Sequence, residues 1–517
     1  MIPAKLVFEA AGTGDINQLQ QLLNSEQHDK NDIINAVNSY HHEEKHFITT
    51  PLGIAAKKGH EQCVNYLIEK CYADVNGLVT NNNQERKYFP PLWCAAANGH
   101  LDIVKKLVER GANIDGVVPH TGETPLRAAC FTRKNEIINY LIRKGVDVEI
   151  ADNSGFTCLM IASRMGSSNI VEYLVEVANA KVNKRDNRDS TALLCAAESH
   201  SLDTVIYLLK KGAALNVVDC FGNTPLTNAI MNGSTDIVDF LMPLVGQREQ
   251  IDALELLGAT YVTRKKYSKA LDIWKKALRQ RYAIYPHYVK RPSNYSPLIR
   301  ACNSGLEEFT TEEELEAIKE NLYYMLLQSL LIMERVLGWT NLRYAFIIKR
   351  LAYEYKQKFD IDNCLRFLMC YADIMQNIAC LDDICLQAFL EILKLEILDR
   401  MDCSKKLARV FEMSVDYIKH EMVSLRNIES PSSEEIKNFD NSLHIPLYLI
   451  GIITNNIFGS KIEDFTKNNN NIKRLIDLKP KTISSNLSLI QLASTNSIDS
   501  DYGVIFPNVN ITNALTN

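Results

Sequence analysis

The sequence predicts an all-α solenoid, and three observations carry that prediction. Similar segments recur along the first half of the chain at steps of 40, 34, 33, 34 and 33 residues. Each segment holds two short stretches with the 3.6-residue apolar spacing of amphipathic helices. From Ile251 onward the recurrence gives way to longer helix-spaced patterns.

The copies begin with TPLGIAAKKGHEQCVNYLIEK at Thr50, PPLWCAAANGHLDIVKKLVERGANID at Pro90 and TPLRAACFTRKNEIINYLIRKGVDVE at Thr124. TCLMIASRMGSSNIVEYLVEVANAKVN at Thr157, TALLCAAESHSLDTVIYLLKKGAALN at Thr191 and TPLTNAIMNGSTDIVDFLMPLV at Thr224 follow, and a half-matching copy starts at Leu6. That makes about seven. In each copy Thr caps a short helix and Pro, where present, takes its first position. Ala-Ala lets neighbouring helices approach, and a second amphipathic helix ends on a glycine C-cap. No copy can bury its apolar face alone, so the copies must stack. These are the marks of ankyrin repeats. One copy breaks its pattern: Thr132, Arg133, Lys134 and Asn135 stand where four sister segments carry glycine followed by His, Ser or Thr.

IDALELLGATYVTRKKYSKALDIWKKALRQRY, from Ile251, has the spacings of a tetratricopeptide helix pair, with Trp274 as a core residue. A looser second pair starts at Val336. The chain reads as helix nearly throughout from Ala379 to Ile428; Ser-x-x-Glu after the loop at Glu429 opens another helix, and Thr466 to Arg474 is a polar linker. The expected division is 1–248 ankyrin repeats, 249–378 tetratricopeptide-like helices, 379–483 a helical region, and 484–517 a degraded C-terminal ankyrin repeat and tail.

Fifty-seven basic and 62 acidic residues give a formal net charge of −5. That balance offers no wide electropositive face and argues against nucleic acid as a partner. Thirteen cysteines include no C-x-x-C pair, and Cys94, Cys130, Cys158 and Cys195 fall among the apolar positions of the repeats. Such usage suits a reducing compartment. The N-terminus lacks the pattern of a signal peptide, and the most apolar run, IPLYLIGII at Ile445, is far short of a membrane span. The expectation is a soluble cytoplasmic protein, with the nucleus as a second compartment, and no membrane partner.

HHEEKH at His41 to His46 offers metal-ligand residue types at no converging spacing and reads as a solvated loop. GTG at Gly12 to Gly14 is not a phosphate loop. RKK at Arg264 and KK at Lys210 read as wet helix surface. No nucleophile with its base and no paired-carboxylate cleft is found, so neither catalytic residue, metal nor cofactor is expected.

IDALELLGATYV and ALDIWKKAL directly after seven ankyrin copies, with PPLWCAAANGHLDIVKKL, TPLRAACF and FTCLMIAS, resemble the Feminization-1 (Fem-one) family. NLSLIQLASTNS and FPNVNITNAL in the tail resemble, in weakened form, its first C-terminal ankyrin repeat. The resemblance implies a substrate receptor of a cullin-two RING ubiquitin ligase, in which the ankyrin groove recognises C-terminal degron peptides, often ending in arginine. It also implies a final helical box that binds elongin B/C and the cullin. The chain stops before such a box, which sets a second reading beside the receptor: an ankyrin and tetratricopeptide scaffold without ligase assembly.

The pocket implied by the family also differs here. Where members commonly read Arg-Ala-Ala-Cys-Phe-Asp, this chain has Arg127 through Phe131 and then Thr132. The family's other acidic position, in the loop before Pro90, is represented by Asn81, Asn82 and Asn83, and its His-Asp-Cys by Leu194, Cys195 and Ala196. Two lost carboxylates remove charge-assisted pairing with a guanidinium, so weak selection of arginine ends is expected. Arg127 either captures a terminal carboxylate or forms an ion pair within the stack. Phe131 and Trp93 either wall the peptide site or pack between helices. Tyr88 and Phe89, ending the long insertion, are freer of the repeat. The candidate peptide-binding set is Arg127, Phe131, Thr132, Trp93, Asn82 and Tyr88.

Overall fold

A computed structural model describes residues 4–24, 38–39, 48–77, 88–284, 298, 307–358 and 360–377. The expected helical region 379–483, the partial repeat and tail 484–517, His41 to His46, and Asn81 to Asn83 lie outside those residues. The chain divides into two compact units, one of Met1–Arg264 with Asp272–Ala277 and one of Lys265–Leu271 with Leu278–Asn517.

The first unit is a stack of helix pairs. They are α1 (Ala4–Thr13) with α2 (Ile16–Asn24), α3 (Pro51–Lys58) with α4 (Glu61–Glu69), and α5 (Pro91–Asn98) with α6 (Leu101–Glu109). Then come α7 (Pro125–Phe131) with α8 (Asn135–Arg143), α9 (Cys158–Arg164) with α10 (Ser168–Glu176), α11 (Ala192–Glu198) with α12 (Leu202–Lys210), and α13 (Pro225–Asn232) with α14 (Thr235–Leu241). The first helices of successive pairs pack on one another, and α15 (Gln247–Thr263) packs on α13 as the next member of that inner row. An antiparallel pairing of Asn38–Ser39 with Ile48–Thr49 precedes α3.

The expected caps form. The side chains of Thr50, Thr124, Thr157, Thr191 and Thr224 each accept a hydrogen bond from the backbone N–H three residues on. Each such cap stabilises its helix by about 1 kcal/mol. Pro90 replaces Thr before α5 and leaves that helix without a side-chain cap. Ala55, Ala56, Ala95, Ala96, Ala196 and Ala197 are wholly buried, as close packing of the inner row requires.

Side chains in the hairpins between pairs tie each copy to the next. Asn76 Oδ1 accepts from Asn113 N–H (2.8 Å), Asp115 Oδ1 from Asp147 N–H (3.0 Å), Glu149 Oε1 from Lys181 N–H (2.8 Å), and Asn183 Oδ1 from Ala214 N–H (2.9 Å). A second series links inner-helix ends. His60 Nε2 lies 3.1 Å from Gly12 O, His100 Nε2 3.1 Å from Lys57 O, and Arg264 Nη2 donates to Met231 O at 2.7 Å.

The turn after each inner helix needs a left-handed residue. Gly99 (φ 91°) and Gly233 (φ 82°) supply it as the sequence predicts. Arg133 and His200 supply it at φ 59° without being glycine. The irregular copy therefore keeps the backbone of its sisters, and what changes is the side chain presented there.

Trp274, on α16 (Tyr267–Ile284), is fully buried, and its indole Nε1–H donates to Glu255 O at 3.0 Å. A Cβ on Gly258 would stand 2.4 Å from that ring, so only glycine leaves it room. The second unit contains α17 (Glu312–Ile318), α18 (Leu322–Leu337), α19 (Leu342–Gln357) and α20 (Ile361–Asn377). Thr311 and Glu314 form a capping box on α17, and Asn341 caps α19. Buried Tyr344 donates its hydroxyl to Glu334 Oε2 at 2.9 Å, and Tyr355 stacks on Phe367 at 5.5 Å. The helices expected after Ile251 and Val336 are thus present.

Candidate peptide-binding groove

Two rows of positions lie a turn apart on one face of each inner helix, at the third and seventh residues after its cap. The third-position row includes Trp93, Arg127, Met160, Leu194 and Thr227. The seventh-position row is Lys57, Ala97, Phe131, Arg164, Glu198 and Met231. Phe131 and Arg164 are its exposed members; the other four are half-buried.

Arg127 lies in the third-position row with its side chain 10% exposed. Its Nη1 donates to Glu123 Oε1 at 2.7 Å and its Nη2 to Asp152 Oδ2 at 2.6 Å. Both terminal nitrogens are thereby committed within the stack, while the buried Nε has no hydrogen-bond partner. Asp152 is fixed in turn, because its Oδ1 accepts from Ser154 N–H (2.9 Å) and Phe156 N–H (2.8 Å). Asp186 and Asp219 hold the equivalent hairpin turns.

Trp93 is half-buried, its ring centroid 4.6 Å from that of Phe89, and its buried Nε1–H has no acceptor. Tyr88 is also half-buried; its hydroxyl reaches Asn76 O at 3.5 Å, and burial pushes its ionisation well above the ordinary tyrosine range. Asn82 lies outside the described residues. Phe131, at the last position of α7, is 54% exposed, so it is not a core residue. Thr132 closes that helix with its Oγ1–H donating to Ala128 O at 3.0 Å, and Arg133 Nη2 donates to Met165 O on the next copy. The structure therefore places Trp93, Arg127, Phe131 and Thr132 on neighbouring inner helices, with Tyr88 and Phe89 leading into α5.

Arg164, one copy beyond Phe131, stacks its guanidinium on the Phe156 ring at 4.5 Å. Sequence reasoning missed Arg164, Phe156, Glu123 and Asp152. Asp152 had a signal: DNSGFT, DNRDST and DCFGNT place an aspartate five residues before the capping threonines at 157, 191 and 224. Arg164 had none, being one arginine in a helix turn.

Three thiols beneath these rows, Cys94, Cys130 and Cys195, are buried and held towards the protonated form. Burial pushes Cys94 and Cys195 up to about 12, and Cys130 is raised well above the ordinary thiol value by neighbouring Cys158 and by burial. Thiols so raised stay protonated near neutral pH and are poor nucleophiles. Among the described residues no cluster of His, Cys, Asp or Glu could hold a metal, and no helix is long and apolar enough to cross a membrane.

Comparison with known proteins gives these rows a context. The ankyrin repeats family matches residues 7–117, 92–186 and 177–252. The chain is 38% identical over 379 residues to protein fem-1 homolog CG6966 of Drosophila melanogaster, covering 72% of this chain and 54% of that one. It is 32% identical over 371 residues to protein fem-1 homolog A-like of Mus musculus (63% and 56%), and 32% over 429 residues to protein fem-1 homolog A of Homo sapiens (72% and 62%). The chain spans a little over half the length of these curated relatives.

Proposed function

The chain belongs to the Fem-1 family of ankyrin-repeat proteins, and from that premise we propose that it is the non-catalytic substrate-recognition subunit of a cullin-RING ubiquitin ligase. Its ankyrin groove takes the C-terminal peptides of other proteins. The coarser role, a protein-interaction adaptor, follows from the repeats themselves, because a stacked array offers one continuous face for a partner. The observation that carries the finer reading is Phe131, a large aromatic 54% exposed beside Thr132 on the inner row. An exposed ring on a rigid helix end is an apolar anchor for an incoming side chain. Trp93 and Tyr88 wall the approach to it, and Arg127 braces its copy.

The groove selects arginine ends weakly. The carboxylates near Phe131 in sequence and stacking, Glu123 and Asp152, both spend their charge on Arg127. The receptor works in the cytoplasm, with elongin B/C and a cullin as its ligase partners.

Short peptides with randomised C-termini, as free acids and as amides, test the peptide reading on the purified chain. Selection that disappears on amidation supports it; equal retention of acid and amide overturns it. Copurification of elongin B/C and cullin with the tagged chain tests the ligase role. Their absence while peptide selection persists leaves a scaffold that bridges proteins without a ligase.

A further inference from the structure

The groove has two candidate cations for a peptide's terminal carboxylate, and they are in opposite states. Arg127 is enclosed: both terminal nitrogens are bonded, and two carboxylates stand against one guanidinium. A third carboxylate arriving there would meet net negative charge and would have to displace a buried pair. Arg164 is exposed and takes part in no ion pair among the described residues. Its guanidinium carbon lies over the Phe156 ring, 4.5 Å from the centroid. A stacked guanidinium keeps its in-plane N–H edge free for a bidentate anion and has already lost much of its rotational freedom.

We propose that Arg164 is the carboxylate anchor of the groove, taking the terminal carboxylate of an extended peptide whose last side chain rests on Phe131. The assignment rests on the reading that the groove takes protein C-termini. Phe131 and Arg164 occupy the same register on α7 and α9, which pack together, so they stand roughly one helix spacing of 8–10 Å apart. Glu198, one copy beyond Arg164, has the Asn228 side-chain amide 3.4 Å away. The carboxylate of Glu198 thus has a donor of its own, and Arg164 is the cation of the row that stands next to Phe131.

The probe is a pool of short peptides with randomised C-terminal residues, as free acids and as amides, applied to the purified full chain. The intact protein is expected to retain the acids about tenfold better than the amides, since a charge-assisted hydrogen bond is lost on amidation. Arg164→Gln is expected to bring that ratio close to one with only a small drop in thermal unfolding, from loss of the Phe156 contact, and Arg164→Lys to restore part of it. A full acid preference in Arg164→Gln overturns the anchor while leaving the C-terminal reading in place. No acid preference in the unaltered chain overturns both. If Arg164→Gln instead weakens amidated peptides with acidic side chains as much as free acids, the anion is a side-chain carboxylate and the assignment fails.

Discussion

Arg127 Nη2 meets Asp152 Oδ2 at 2.6 Å and ties α7 to the hairpin that opens the following copy. Both side chains are close to nine-tenths buried, so solvent screens the pair little. Removing one partner leaves the other inadequately compensated, although Glu123 still offsets part of the Arg127 charge. Asp152→Ala should lower unfolding stability by about 2–4 kcal/mol, since it also releases the Ser154 and Phe156 N–H groups. In a double-mutant cycle of Arg127→Met with Asp152→Asn, the coupling measured by chemical denaturation should reach about 1–3 kcal/mol. Strict additivity would refute an energetic link between the two copies.

Arg133 gives a sharper contrast. It sits at φ 59°, where a side chain costs about 1–2 kcal/mol relative to glycine, yet it donates to Met165 O on the next copy. Arg133→Gly relieves the strain and loses the bond, so its stability should stay within about 1 kcal/mol of the unaltered chain. Arg133→Ala loses the bond and keeps the strain. It should therefore unfold more easily than Arg133→Gly by about 1 kcal/mol, as read by denaturant midpoint. Equal midpoints would mean that the left-handed turn exacts no cost here.

Much of this architecture was legible from the spacing of apolar residues. The period fixed the helix pairs, the threonines marked their starts, and most glycines marked the turns. Arg133 and His200 escaped because the stack imposes the left-handed turn whether or not the residue prefers it. For Arg127 the sequence left two readings, and the ion pair became visible only when folding set Asp152 of the next copy against it. Phe131 behaved likewise, since pattern alone could not tell a groove ring from a core ring. The Phe156–Arg164 stack joins a hairpin to a helix end two turns away, a closeness that no linear spacing displays.

Acid should loosen the ties between neighbouring outer helices. Glu69 on α4 accepts from Lys106 on α6 and from Arg110 just past its end, and these contacts, the Lys106 hydrogen bond foremost, hold its carboxyl below its ordinary value of 4.5. Glu176 is lowered in the same way by Lys211 and Tyr207. A carboxyl depressed in the folded chain adds stability that is whole above its unfolded value and is lost as pH falls through the folded one. The stability difference between the unaltered chain and Glu69→Gln should therefore be largest near about pH 7 and shrink as the pH falls through the ordinary carboxyl range and below it. A difference that stayed constant over that range would show that the pair contributes nothing. High salt should shrink it at neutral pH, because these groups are partly exposed.

On the proposed reading of the groove, Thr132 is the position at which specificity for the last residue of a peptide can be rewritten. It follows Phe131 directly and ends α7, with its hydroxyl spent on Ala128 O. Thr132→Asp would lose that bond and set a negative charge at a helix C-terminus, at a cost of about 1–2 kcal/mol in stability. In return it would place an uncommitted carboxylate beside an exposed phenyl ring, the pairing that suits an arginine's charged head and aliphatic stem. Peptides ending in arginine should then gain about tenfold over those ending in leucine, measured against the unaltered chain. The unaltered chain should show no such preference, because Arg127 neutralises its nearest carboxylates and the exposed Arg164 repels a second guanidinium. If the unaltered chain already prefers arginine, Glu123 or Asp152 must leave Arg127 when a peptide binds. The buried ion pair would then be an exchangeable lock on the groove, not a fixed brace.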